Sequence, residues 1–155
     1  MKDIMLKITG KQIPRETNEF TKALEATDKD NVVEFITPGT ITTKDGTTYI
    51  SYAETAISGM EGCTTSLTIE SGKVTMTRTG DHLQETVMEF EKGKRFHGLY
   101  TTPYGNIVME LLTNDVSGSM DEYNADKLSI DYDISLKGLS ESRNTLDIEV
   151  LSNGK

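Results

Sequence analysis

Cysteine is almost missing: the 155-residue chain carries one, Cys63, so no intrachain disulfide can form. The spaced Cys and His sets that hold structural zinc are absent as well. Two histidines, His82 and His97, stand apart without sulfur or paired carboxylates nearby, and both read as exposed. Long apolar runs are lacking too. The N-terminal stretch MKDIMLKITGKQI alternates instead, which predicts neither a secretory signal nor a membrane span, and a cytoplasmic location is expected. Positive charge is scarce, with 16 Lys and Arg against 25 Asp and Glu and a net charge of -9, which disfavours nucleic acid and anionic membrane surfaces. No serine or cysteine sits in the context of an activated nucleophile, and neither nucleotide-binding glycine pattern occurs. Catalytic residues, metal and cofactor are therefore all predicted to be none, and the leading reading is non-enzymatic.

What is present is alternation. A chain of this length fits a single domain, residues 1–155, that buries roughly 70% of its unfolded surface. From residue 32 onward, period-two runs are broken at short intervals by turn signals, the pattern of an all-β sandwich or barrel. Asp45-Gly46 supplies the positive-φ pair of a type I′ turn and sets Ile41 opposite Ile50 and Gly39 opposite Tyr52. A two-residue loop at Ser71-Gly72 pairs Ile69 with Val74, Leu67 with Met76 and Thr65 with Arg78. A loop at 91–93 with Gly93 left-handed would set Met88 opposite Phe96, and TPYG at 102–105 sets Tyr100 opposite Ile107.

The strands through Leu128, Ile130, Tyr132, Ile134, Leu136 and through Leu146, Ile148, Val150 close the chain, with Ile4, Leu6 and Ile8 on a first strand. The fold expected is an antiparallel meander barrel of about eight to ten strands, because closing the sheet removes its edges. A two-sheet sandwich is second. Residues 14–31 read either as one short helix behind a Thr17 cap, with Phe20, Ala23 and Leu24 on one face, or as a charged loop. Residues 116–126 read as a loop. The acidic stripe Asp131, Asp133, Asp147 and Glu149 reads as a solvated outer face rather than a calcium site.

Several segments resemble a known family. ITPGTITTKDGTTYISYAET at 36–55, GMEG at 59–62, TRTG at 77–80, VMEFEKGK at 87–94 and LYTTPYGNIVMELLT at 99–113 resemble, in order, the YwiB-like family of uncharacterised bacterial proteins. The resemblance spans residues 2–151. It implies a calycin-type, lipocalin-like barrel and no particular activity, since one fold hosts unrelated functions.

The stretch VTMTRTG at 74–80 sends Arg78 to the face of Val74 and Met76. Glu54 follows Ile50 and Tyr52 inward, and Gln84, Tyr100 and Tyr132 join them. Arg78, Glu54, Tyr52, Tyr100, Gln84 and Tyr132 thus form a predicted polar lining within apolar walls, the composition of a small-molecule pocket. Such a lining suits a small amphipathic or acidic ligand, because a guanidinium fork matches a carboxylate or phosphate. The bland reading is an Arg78–Glu54 plug in a filled barrel, since a buried charge needs a partner. A rival function is a protein-interaction module with a solid barrel, recognising its partner through rim loops anchored by Tyr104 and Met60 or Met120. An enzymatic reading would use Glu54 and Arg78 as acid–base and electrostatic groups.

Overall fold

The computed structural model describes residues 2–14, 31–54, 62–80, 83–102, 105–120, 125–136 and 140–152. They form β1 (Lys2–Pro14), β2 (Asn31–Lys44), β3 (Thr47–Ala53), β4 (Cys63–Glu70), β5 (Lys73–Gly80), β6 (Leu83–Glu91), β7 (Arg95–Thr102), β8 (Gly105–Met120), β9 (Ala125–Leu136) and β10 (Ser140–Ser152). No helix occurs among the described residues, and the segment read as helix or loop lies, at 15–30, outside them.

Turn chemistry sets the local pairings. Asp45 and Gly46 adopt φ of 53° and 80°, as a type I′ turn requires, and Ile41 faces Ile50 across the β2–β3 ladder. Gly72 at φ 76° closes the next hairpin, and Leu67 pairs with Met76 and Thr65 with Arg78. Tyr100 pairs with Ile107 across β7–β8. The β2–β3 and β4–β5 pairings place apolar partners on one face: Ile41, Ile50, Leu67, Val74 and Met76 are all buried.

The ten strands form one antiparallel sheet in the order β6-β5-β4-β3-β2-β1-β10-β9-β8-β7. Two meanders are therefore joined by the long β1–β10 ladder, where Ile8 faces Ile148. The sheet curls into a nearly closed barrel around a core that includes Ile4, Leu6, Phe90, Met109, Leu111, Leu128 and Ile148. β6 and β7, neighbours in sequence, stand at the two ends of the strand order. The expected Met88–Phe96 register is thus corrected: no β6–β7 ladder exists among the described residues. Instead the turn turns a corner onto β8, with Gly93 N–H donating to the Thr113 carbonyl at 2.9 Å and Thr113 N–H donating to the Lys94 carbonyl at 3.2 Å. Those backbone groups find β8 because the corner carries the chain across the seam, and a buried N–H or C=O must be paired.

A second correction concerns residues 116–126. β8 runs on to Met120 and β9 starts at Ala125, with register shifts between Thr113 and Asp115 and between Gly118 and Met120. The first places an extra residue on β8 and resets its alternation, the second places one on β9, so the sequence there looks irregular while the ladder continues. Gly118, at φ 92°, fits because a Cβ would stand 2.0 Å from the Lys127 carbonyl oxygen. Met120 is consequently buried, 3% exposed, and cannot serve as an exposed rim anchor. Met60 and Tyr104 lie outside the described residues.

On the outer wall the acidic stripe is knitted rather than merely solvated. Arg143 donates to Asp131 through Nε at 3.1 Å and Nη2 at 2.6 Å, Asn114 donates to both Asp131 and Asp133, and Ser129 donates to Asp147 at 2.6 Å. Among the described residues no group of three or more His, Cys, Asp or Glu could hold a metal ion. None forms a helix long and apolar enough to cross a membrane.

Candidate functional site

One row of paired residues crosses the sheet at the end of the lumen: Gly39 faces Tyr52, Tyr52 faces Thr65, and Thr65 faces Arg78. All lie on the inward parity of their strands. Gly39 leaves room for the Tyr52 ring, because a Cβ at position 39 would sit 3.2 Å from Tyr52 Cβ and 2.6 Å from the Ser51 carbonyl oxygen. Phe35 flanks the same ring, with centroids 6.5 Å apart. Just beyond β3, Glu54 is held by its backbone N–H, which donates to the Cys63 carbonyl at 2.9 Å and prolongs the β3–β4 pairing. Thr37 Oγ1 donates to the Ala53 carbonyl at 3.0 Å and fixes the same corner from β2.

Strands β3 and β5 are not neighbours, so Glu54 and Arg78 need an intermediary. Thr65, with no exposed surface, provides it. Its hydroxyl donates to Glu54 Oε1 at 2.6 Å while its oxygen accepts from Arg78 Nε at 3.4 Å. One donor and two lone pairs suit a hydroxyl to this relay. Arg78 Nε lies 3.7 Å from Glu54 Oε1, with 23% of the arginine side chain exposed against 2% of the glutamate. The Arg78–Glu54 pair expected from sequence is therefore present, but it uses only one edge of the guanidinium. The terminal nitrogens Nη1 and Nη2, carrying four of its five N–H groups, make no hydrogen bond with the described residues.

Those nitrogens belong to a residue that lines a cavity of about 220 Å³. The other walls are Ile8, Gly10, Lys11 and Gln12 of β1, Val33 and Phe35 of β2, Tyr52 and Glu54, Tyr132 of β9, and Asn144, Thr145 and Leu146 of β10. Solvent reaches it at the end where Gln12 and Val33 are exposed. Tyr132 leans on the fully buried Phe90, ring centroids 4.9 Å apart. Of the predicted lining, Arg78, Glu54, Tyr52 and Tyr132 meet at this cavity, whereas the side chains of Gln84 and Tyr100 lie outside the described residues.

Sequence reasoning missed Thr65 as the relay, and it missed Gly10, Gln12 and Asn144. Alternation from Ile8 would have marked Gly10 and Gln12 as inward, and alternation back from Leu146 would have marked Asn144. Gly10 shapes the space most directly, since a Cβ there would meet nothing within 4 Å. The lumen is unfilled where β1 offers no side chain.

Tyr52 feels its surroundings strongly. Burial, then the adjacent Glu54 carboxylate, push its hydroxyl well above the ordinary value of 10.0. The native state therefore keeps this proton at a pH where the unfolded chain has lost it. Stability that is complete below pH 10 should fall as pH rises beyond it, by about 1.4 kcal/mol per pH unit. Urea melts between pH 8 and 11 are expected to show this decline, and Tyr52→Phe should flatten it; an equal slope in both proteins would refute the assignment.

Three comparisons with known proteins bear on this architecture. None of the curated proteins matches the chain. Among solved structures, the crystal structure of ywiB protein from Bacillus subtilis is similar, with a TM-score of 0.65 and 18% sequence identity over 97% of this chain and 94% of that chain. At that identity the likeness speaks for the fold alone. The model of the family described as "Domain of unknown function (DUF1934)" matches residues 19–148, which takes in β2 to β9 whole and the first nine residues of β10. With the family model covering most of its length, the chain belongs to the DUF1934 family.

Proposed function

We propose that this barrel binds a short anionic amphipathic molecule in the cavity at the end of its lumen. The observation that carries the reading is the divided arginine. Arg78 is committed to Thr65 and Glu54 through Nε, while its two terminal nitrogens make no hydrogen bond with the described residues and belong to a side chain that borders the cavity. A fork of that kind binds carboxylate or phosphate in two parallel hydrogen bonds. Ile8, Phe35, Leu146 and the rings of Tyr52 and Tyr132 offer apolar wall for a short chain. At about 220 Å³ the space is smaller than the roughly 300–1,000 Å³ of drug-sized pockets, which favours a ligand of few carbons over a long acyl chain.

Gly10→Leu tests the reading without touching a charge. The backbone there is not left-handed and a side chain meets open space, so the leucine should fill the cavity and leave stability unchanged or higher. Titration with hexanoate, followed by amide chemical shifts, is expected to show saturable binding to the natural protein and none to the variant. Binding undiminished in Gly10→Leu, or no binding to the natural protein, would refute the proposal.

A further inference from the structure

The cavity has a second polar pole opposite in character to Arg78. Gln12 and Asn144 face each other across β1–β10, and Ser142 follows Asn144 on the same inward parity. Gln12 Nε2 donates to Ser142 Oγ at 3.2 Å, and Asn144 Nδ2 donates to the same oxygen at 3.0 Å. Both lone pairs of a 2% exposed hydroxyl are thereby used by the two amide nitrogens. Each amide is left with its carbonyl oxygen, an acceptor that has no partner among the described residues, and both residues line the cavity. Gly10, between Ile8 and Gln12 on the inward face, leaves the room a ligand needs to pass along this wall.

From this we infer that the ligand is bifunctional: a short carboxylate or phosphate whose far end carries a neutral hydrogen-bond donor, a hydroxyl, received by the Gln12 and Asn144 carbonyl oxygens. The inference rests on the anion-binding reading of Arg78 and extends it to the other end of the molecule. Two acceptors at this pole select a donor, because a methyl end would take water from the half-buried Asn144 oxygen without replacing its hydrogen bond, while a hydroxyl can pair with it and with the more exposed Gln12 oxygen. Lys11, which lines the same mouth, selects against an ammonium end by like charge. The Ser142 hydroxyl positions the acceptors by holding both amides in one orientation.

Calorimetric titration of the full chain with hexanoate, its terminal hydroxy derivative and its terminal amino derivative tests the inference. The hydroxy acid is expected to bind about three- to tenfold more tightly than hexanoate, the range one neutral hydrogen bond supplies, and the amino acid more weakly than either. In Gln12→Ala/Asn144→Ala the preference for the hydroxy acid over hexanoate should vanish. Equal affinities of the natural protein for hexanoate and the hydroxy acid, or a preference that survives the double substitution, would overturn the second pole and leave the Arg78 site standing. No binding of any of the three would overturn both.

Discussion

Arg78→Met is expected to lower the stability of the barrel by about 3 kcal/mol at neutral pH and to abolish binding of short carboxylates. Removing one partner from a buried ion pair generally costs about 3–5 kcal/mol, because the other charge stays buried without compensation. The lower end applies here, since 23% of the Arg78 side chain is exposed while Glu54 keeps its hydrogen bond from Thr65. Glu54→Gln in the same chain should restore most of the stability, as a neutral amide needs no counter-charge, but it cannot restore the guanidinium fork. The two readouts therefore separate: stability recovers in the double variant and binding does not. Urea melts of both single variants and the double variant, with hexanoate titrations, measure this coupling. A single variant as stable as the natural protein would mean that Glu54 is solvated through the cavity and that the pair carries no structural load.

Ile148→Asp should leave no folded protein. Ile148 has no exposed surface and faces Ile8 on one side and Leu128 on the other. The substitution removes a side chain whose truncation alone costs about 2–5 kcal/mol and inserts a carboxylate with no partner. Together these approach the whole stability of a domain, commonly about 5–15 kcal/mol. The position is also the worst available for a defect, because β1–β10 is the ladder that joins the two meanders. Thr75→Lys is the control. Thr75 lies on the other parity of β5 from Val74 and Met76, beside Thr68 and Glu89, and a lysine there should change stability by less than about 1 kcal/mol. Circular dichroism and a melting curve on each purified variant decide the matter. A cooperative melt for Ile148→Asp near that of the natural protein would contradict the packing described.

The sequence by itself determined whatever depends on neighbours along the chain. Asp45-Gly46 and Ser71-Gly72 dictate two-residue turns, and period-two alternation then leaves one register in which Ile41, Ile50, Leu67 and Met76 share a face. The inward course of Arg78 and Glu54 was legible for the same reason. Tertiary structure decided what depends on closure. That β6 and β7 part at the seam, that Gly93 pairs with Thr113, and that β1 joins β10 are outcomes of sheet curvature, which no local pattern encodes. The bulge of β8 between Thr113 and Asp115 hid the rest of that strand and buried Met120, because an inserted residue inverts the parity on which the reading rests. The site divides along the same line. Alternation could place an arginine and a glutamate inside, but only the assembled barrel put Thr65 between them, left Gly10 beside empty space, and brought Gln12 and Asn144 from opposite ends of the chain to one mouth. Gln12 and Asn144 stand more than a hundred positions apart, and their geometry is set by the pairing of β1 with β10, strands that meet only when the sheet forms.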